Sequence, residues 1–286
     1  MRKLLLQLDS NRLPSVFDRV VGYDGGADEI MSYGGIVPSD VRDLIYGLIF
    51  TRGPKDLHNS AVFIGGQDIN VGDAILTAAQ ETFFGPFRVS LMLDSNGSNT
   101  TAVAAVAKIV QTVGDVRGKK VVVTAGTGPV GARAAGLLAK EGAEVVITSR
   151  RGPDGERALR NIVARFGGKL SCVQMSEPSQ AAAVLEGANI VLNCGPAGVM
   201  LIPRAAWAGR PGLVCAIDLN AAPPLGIEGI DANDNGVVRD GVTCFGALGV
   251  GGFKMRIHKR CIARLFESSD AVLDAEAIHE LARTLG

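Results

Sequence analysis

Residues 121–151 read VVVTAGTGPVGARAAGLLAKEGAEVVITSRR: an apolar run, a glycine turn, an alanine-rich helical segment, a second apolar run and two arginines. Gly126-Thr127-Gly128-Pro129-Val130-Gly131 is a G-x-G-x-x-G turn, with the strand before it and the helix after it that its chemistry requires. The first glycine permits a tight turn, the second lets backbone N–H groups approach a pyrophosphate, and the third lets helix and strand pack closely. The turn alone is weak evidence, but inside a complete strand-turn-helix-strand unit it predicts a dinucleotide held by Gly126, Thr127, Gly128, Pro129, Val130 and Gly131. The end of the second strand chooses the nucleotide. An NAD-selective site places Asp or Glu there, on the ribose 2′-OH. Here the strand ends Thr148-Ser149-Arg150-Arg151. A hydroxyl followed by two planar guanidiniums suits a phosphate dianion. The expected cofactor is therefore NADP, held in part by Ser149, Arg150 and Arg151, with NAD accepted at lower affinity.

Apolar and helical segments continue to alternate on either side of this stretch. After it come PDGERALRNIVARFG, KLSCVQM, NIVLNCG and LVCAIDLN, so five short strands with helical crossovers predict a Rossmann-type, doubly wound parallel sheet over residues 112–244. Ligands in such sheets lie outside the carboxyl ends of the strands. NCGPAG (193–198) and DLNAAPPLG (218–226) occupy those ends and add Cys194, Gly195 and Asn220 to the expected cofactor site. Residues 1–111 alternate as well, with strands at RKLLLQLD, NSAVFIGG and FRVSLMLD, and predict a smaller N-terminal α/β domain. Residues 245–286 hold two amphipathic stretches that are expected to pack back on that domain, leaving a cleft between domains.

Composition narrows the class of partner. Twenty-nine basic side chains balance twenty-nine acidic ones among 286 residues, so no overall field gathers nucleic acid or an anionic membrane. The apolar runs are too interrupted to span a bilayer, and MRKLLLQLDS has too short an apolar core for a signal peptide. A cytoplasmic protein is expected. Five scattered cysteines never fall at C-x-x-C spacing and the three histidines never at metal-ligand spacing, so neither a disulfide framework nor a metal is expected.

Three stretches outside the Rossmann pattern concentrate polar groups. DSNGSNTTAVAAVAKIVQTVG (94–114) carries six hydroxyl or amide side chains at the start of a helix, more than capping alone uses. VVGYDGGADEI (20–30) reads as a glycine-rich loop with acids, and FGALGVGGFKMRIH (245–258) as a glycine-rich loop leading to Lys254. An enzyme that oxidises an alcohol with a nicotinamide must also dispose of a proton, which calls for a positioned acid or base. No Tyr-x-x-x-Lys pair is present and no histidine falls at a Rossmann strand end. The missing base points to a donor that loses hydride alone: a methylene carbon between two nitrogens, whose lone pairs stabilise the cation that remains. Proximity and orientation then supply most of the rate.

The blocks SVFDRVVGYDGGAD, GPFRVSLMLDSNGSNTTA, LNAAPPLGIEGIDA, FGALGVGGFKMRIHKRCIARLFESS and DAEAIHELA, together with the glycine turn, closely resemble the bacterial NAD(P)-dependent methylene-tetrahydromethanopterin dehydrogenases of one-carbon metabolism, in collinear order over essentially the whole chain. The resemblance implies a two-domain fold with the pterin in the interdomain cleft, its C1 carbon facing the nicotinamide, no metal, no dedicated proton acceptor, and a homo-oligomer, a trimer. It carries Lys254 over as a substrate-positioning residue and Arg150 as the arginine near the 2′-phosphate. By motif identity it also assigns Tyr23, Asp24, Asp94, Ser95 and Asn99 to the substrate site. Methylene-tetrahydrofolate remains open as an alternative substrate. A shikimate-dehydrogenase-like oxidoreductase would need a Lys-Asp pair for which Lys55 is the only candidate, and a non-catalytic NADP sensor would not need a polar, glycine-rich cleft.

Overall fold

A computed structural model describes residues 1–285. The chain begins β1 (Leu4–Asp9), α1 (Val16–Asp24), β2 (Glu29–Gly34), α2 (Val41–Ile49), β3 (Ser60–Gly65), α3 (Ile69–Thr82), β4 (Ser90–Leu93) and α4 (Ser98–Val113). It continues through β5 (Lys120–Thr124), α5 (Pro129–Lys140), β6 (Glu144–Ser149), α6 (Gly152–Phe166), β7 (Lys169–Gln174), α7 (Ala181–Val184), β8 (Ile190–Asn193), α8 (Arg204–Trp207), β9 (Cys215–Asp218), β10 (Asn235–Arg239) and β11 (Val242–Phe245). The last elements are α9 (Ala247–Leu265), β12 (Val272–Leu273) and α10 (Ala275–Arg283). Two compact units result, one of residues 1–100 with 255–286 and one of residues 101–254.

The second unit holds a seven-stranded sheet in the order β10-β11-β9-β8-β5-β6-β7, parallel except for the β10–β11 hairpin. Its central strands read as unbroken apolar runs because both faces are covered: Val121, Val122, Val123, Ile190, Val191 and Leu192 are all fully buried. Trp207 is also fully buried, and its Nε1 donates to the Glu228 carbonyl at 2.9 Å. Strand order reverses between β5 and β8, the switch point at which open sheets of this kind bind ligands. The architecture is thus the α/β, doubly wound sheet expected from the sequence, with a smaller α/β unit beside it in the chain.

That smaller unit holds a parallel sheet in the order β12-β4-β3-β1-β2 around a core that includes Leu8, Ile45, Ile64 and Leu91. The C-terminal segment contributes a strand as well as helices, since Val272 and Leu273 pair with Leu91 and Met92. The order again reverses, here between β1 and β3.

Two stretches read as loops are regular structure. Residues 20–30 hold the end of α1, a turn and the start of β2. Helix α1 escaped a periodicity reading because Val16, Phe17, Val20 and Tyr23 face outward and only Val21 and Gly22 are buried. Residues 247–258 are helical, the opening turns of α9, despite their glycines. Gly246 and Gly249 let the backbone approach closely: a Cβ would stand 2.0 Å from the Asp231 carbonyl oxygen at the first and 1.9 Å from that of Asp234 at the second.

Candidate active site

The turn after β5 is held by hydrogen bonds to Thr148 of β6 and by one bond of its own. Ala125 N–H donates to Thr148 Oγ1 at 3.1 Å, Gly126 N–H to the Thr148 carbonyl at 3.1 Å, and Gly128 N–H to the Ala125 carbonyl at 3.1 Å. Ala125 adopts φ 51°, in the left-handed region. The three motif glycines separate by function. A Cβ on Gly126 would lie 2.6 Å from Ile147 Cβ, and one on Gly131 would lie 2.8 Å from both the Ala125 carbonyl oxygen and Gly126 Cα. The first and third are therefore demanded by the protein's own packing. A Cβ on Gly128 meets only the Ala125 carbonyl oxygen, at 3.4 Å, which is ordinary contact. Its face is left open at the start of α5, where Gly128 caps without a side chain, Pro129 has no N–H, and the N–H groups of Val130 and Gly131 have no acceptor within their own helix. That is a cradle for an anionic group. Thr127 is exposed beside it.

At the end of β6, Ser149 is buried, and its Oγ donates to the Arg151 carbonyl at 2.8 Å while accepting from Arg151 N–H at 3.3 Å. Ser149 thus shapes the turn. Arg151 Nε pairs with Asp154 Oδ2 at 2.5 Å. Arg150 is exposed, and among the described residues its guanidinium has no ion-pair partner. No carboxylate terminates the strand.

The ends of β5, β8 and β9 are tied by a buried polar chain that the sequence did not reveal. Thr124 Oγ1 donates to Asn193 Oδ1 at 2.6 Å, and Asn193 Nδ2 donates to Asp218 Oδ1 at 2.7 Å. Asp218 also accepts from the N–H groups of Asn220 at 3.0 Å and Ile227 at 2.8 Å. Gly195 N–H donates to Asn193 Oδ1 at 3.2 Å. Asn220 staples the two strand-end loops: its Nδ2 donates to the carbonyls of Pro196 and Pro224, and its Oδ1 accepts from Ala222 N–H. Its amide is committed to the scaffold. Burial raises the Cys194 thiol, reinforced by the charge of Asp218, so no thiolate forms there near neutrality. Replacing Asn193 by Ala is expected to lower thermal stability by about 1–3 kcal/mol, since it strips the acceptor from buried Thr124 Oγ1 and a donor from Asp218. The shift in unfolding midpoint measures it.

In the smaller unit, Asp94, Ser95 and Asn99 come together at the carboxyl end of β4, all buried. Asp94 accepts from Thr100 N–H at 3.0 Å and Thr100 Oγ1 at 2.6 Å, Ser95 Oγ donates to the Gly65 carbonyl at 3.2 Å, and Asn99 Nδ2 donates to the Leu93 carbonyl at 2.6 Å. With Ser98 Oγ donating to the Ser95 carbonyl at 2.7 Å, four of the six polar side chains at this helix start serve the turn itself. His258, weighed in the sequence only as a metal ligand, is fully buried with Nδ1 3.9 Å from Asp94 Oδ2 and its ring stacked on Phe63. At the neighbouring switch point Ser10 Oγ is buried without a hydrogen-bond partner against Gly66, whose φ of 93° and lack of a Cβ admit it.

Tyr23 and Asp24 are not part of this cluster. They close α1, which runs back from the carboxyl end of β1, and so lie at the amino end of the sheet. There Asp24 Oδ2 pairs with Lys259 Nζ at 2.8 Å and Arg19 lies over the Tyr23 ring. Lys254 is half-buried and stands eight residues into α9, beyond the first turn to which the helix dipole is confined. Lys55 is exposed in a turn before β3, also at the amino end of its sheet. Among the described residues no three His, Cys, Asp or Glu side chains converge as a metal site, and no helix is long and apolar enough to cross a membrane.

A family model described as methylene-tetrahydromethanopterin dehydrogenase, N-terminal, matches residues 16–96. The chain is 49% identical to bifunctional protein MdtA of Methylorubrum extorquens, over 99% of each chain. It is 32% identical to an NAD(P)-dependent methylenetetrahydromethanopterin dehydrogenase of the same organism, over 98% of each. Among solved structures, shikimate 5-dehydrogenase of Listeria monocytogenes, in complex with shikimate and NAD, aligns over 98% of this chain and 96% of its own with a TM-score of 0.58 at 14% identity, a likeness of fold. The relatives and the fold they share define an NAD(P)-dependent oxidoreductase. More narrowly, the chain belongs to the methylene-tetrahydromethanopterin dehydrogenase family.

Proposed function

We propose that this protein is an NADP-dependent methylene-tetrahydromethanopterin dehydrogenase that works without a protein acid or base. The observation that carries the substrate class is similarity over 98% of the chain to an NAD(P)-dependent methylenetetrahydromethanopterin dehydrogenase. The residues present fit the nucleotide. Gly128 leaves a face that a side chain would fill, the start of α5 offers N–H groups suited to a pyrophosphate, and the unpaired Arg150 at the end of β6 supports a role as donor to a 2′-phosphate. When bound, the oxidised nicotinamide supplies the acceptor for a hydride from the methylene carbon, whose flanking nitrogens take up the positive charge.

No proton is released in that exchange, so the chain's task is to bind, orient and exclude water. The Thr124–Asn193–Asp218 chain holds the strand ends rigid, which suits a surface against which a ring must be placed. Lys254 is proposed to position the pterin. Tyr23 and Asp24 are not proposed as contacts, given their place at the amino end of the sheet. Asp94, Ser95 and Asn99 shape the turn at the end of β4 and would act on substrate only through it.

The test is to mix the protein with methylene-tetrahydromethanopterin and NADP and follow the absorbance of reduced nicotinamide. Absence of turnover with either nucleotide defeats the proposal, and a solvent isotope effect on the hydride step defeats its base-free mechanism. A parallel arm with methylene-tetrahydrofolate is warranted because the 49% relative is described as bifunctional at the same length. Lys254→Ala is expected to raise the Michaelis constant for the pterin about ten- to a hundredfold, the range of one charged hydrogen bond, while leaving that for NADP unchanged. Unchanged pterin kinetics would remove Lys254 from the site.

A further inference from the structure

The start of α6 carries an arginine that the nucleotide motif does not include. Arg157 Nη2 donates to Asp154 Oδ1 at 2.7 Å, while Arg151 Nε pairs with the other oxygen, Oδ2, at 2.5 Å. The carboxylate is the anchored partner, with its side chain 26% exposed against 81% for Arg151 and 67% for Arg157. Asp154 lies in the first turn of a helix whose N-cap is Arg151, where a negative charge is favoured. The backbone beneath is fixed too, by the reciprocal bonds between Ser149 Oγ and Arg151 and by Gln174 Nε2 donating to the Arg150 carbonyl at 3.2 Å. One carboxylate therefore gathers two guanidiniums beside a third, Arg150, that it does not engage.

We propose that Asp154 is a positioning residue for the 2′-phosphate of the nucleotide, holding Arg151 and Arg157 as a cationic pair next to Arg150. The proposal rests on the NADP reading of this site. Three guanidiniums against two carboxylates, Asp154 and the exposed Glu156, leave the start of α6 net positive, as a phosphate dianion requires. Long arginine side chains lose rotamer freedom on binding, and a carboxylate that restricts them beforehand reduces that loss. Charge alone makes the opposite demand: an acid beside a dianion repels it, so removing Asp154 would tighten binding. The sign of the effect separates the two.

Calorimetric titration with adenosine 2′,5′-bisphosphate and with 5′-AMP reads it without turnover. Asp154→Asn and Asp154→Ala are expected to weaken the bisphosphate about three- to tenfold, the range that two exposed ion pairs carry, and to leave 5′-AMP unchanged. Asp154→Glu should recover part of the loss. Tighter or unaltered bisphosphate binding overturns the proposal, as does an equal loss for both ligands, which would mark damage to α6. Arg150→Ala belongs in the same series. If it too spares the bisphosphate, the 2′-phosphate reading itself fails; if it alone weakens the bisphosphate, only the role of Asp154 falls.

Discussion

Arg150→Ala is expected to raise the Michaelis constant for NADP about ten- to a hundredfold and to leave that for NAD nearly unchanged, because one hydrogen bond to a charged group is worth about 1.5–3 kcal/mol. NAD and NADP share every group except the 2′-phosphate, so a contact to any other part of the nucleotide would change both constants together. Arg150 suits the selective role by its position and its freedom. It follows Ser149 at the end of β6, its carbonyl is held by Gln174, and no acid among the described residues competes for its guanidinium. Arg151 is held by Asp154 instead, and its contribution is read through that residue. Arg150→Lys should fall between wild type and Ala, since an ammonium keeps the charge and loses the planar fork. Steady-state kinetics with the two nucleotides at saturating pterin measure all three, and equal changes for NADP and NAD would refute the assignment.

The Rossmann half was legible because its signals are local and redundant. β5, β6 and β8 are buried on both faces, so they appear as unbroken apolar runs, and the glycine turn falls at the only junction where it makes chemical sense. The β10–β11 hairpin escaped notice although its signal was present: Asp240-Gly241 joins two short runs, and both residues take positive φ, 49° and 79°, as a two-residue hairpin turn requires. Strand β10 is exposed along most of its length, which removes the apolar alternation that would have drawn attention to it. Illegibility elsewhere had a different cause. The glycines at the start of α9 and just before it resemble a loop in sequence, and only contact with residues 231–235 explains Gly246 and Gly249.

Side-chain roles were harder still, because they depend on partners distant in sequence. Asn193 is a strand-end residue like many others until Thr124 and Asp218 are placed beside it. Asp94, Ser95 and Asn99 sit together at the end of β4, yet their motif cannot say that they bond Thr100, Gly65 and Leu93. Tyr23 and Asp24 belong to an equally distinctive block and lie at the other end of the sheet, a separation created by the nine residues of α1 running antiparallel to β1.

The motif glycines allow a sharper test, because the structure assigns them different jobs. Gly128→Ala is expected to fold with an unchanged unfolding midpoint and to raise the Michaelis constants for NADP and NAD together, about tenfold or more. Its new methyl meets the protein only at 3.4 Å and otherwise enters the space above the start of α5, which the proposed function gives to the pyrophosphate common to both nucleotides. Gly131→Ala is expected to cost about 1–3 kcal/mol of stability, because its methyl would stand 2.8 Å from backbone atoms of residues 125 and 126 that cannot rotate away. Thermal unfolding and kinetics on the same two variants separate the effects. The non-discriminating loss at Gly128 also contrasts with the NADP-selective loss at Arg150, so the three variants together distinguish pyrophosphate, 2′-phosphate and packing. A Gly128→Ala enzyme that binds both nucleotides normally would mean that the turn after β5 is a packing device, and the phosphate would have to be sought at another strand end.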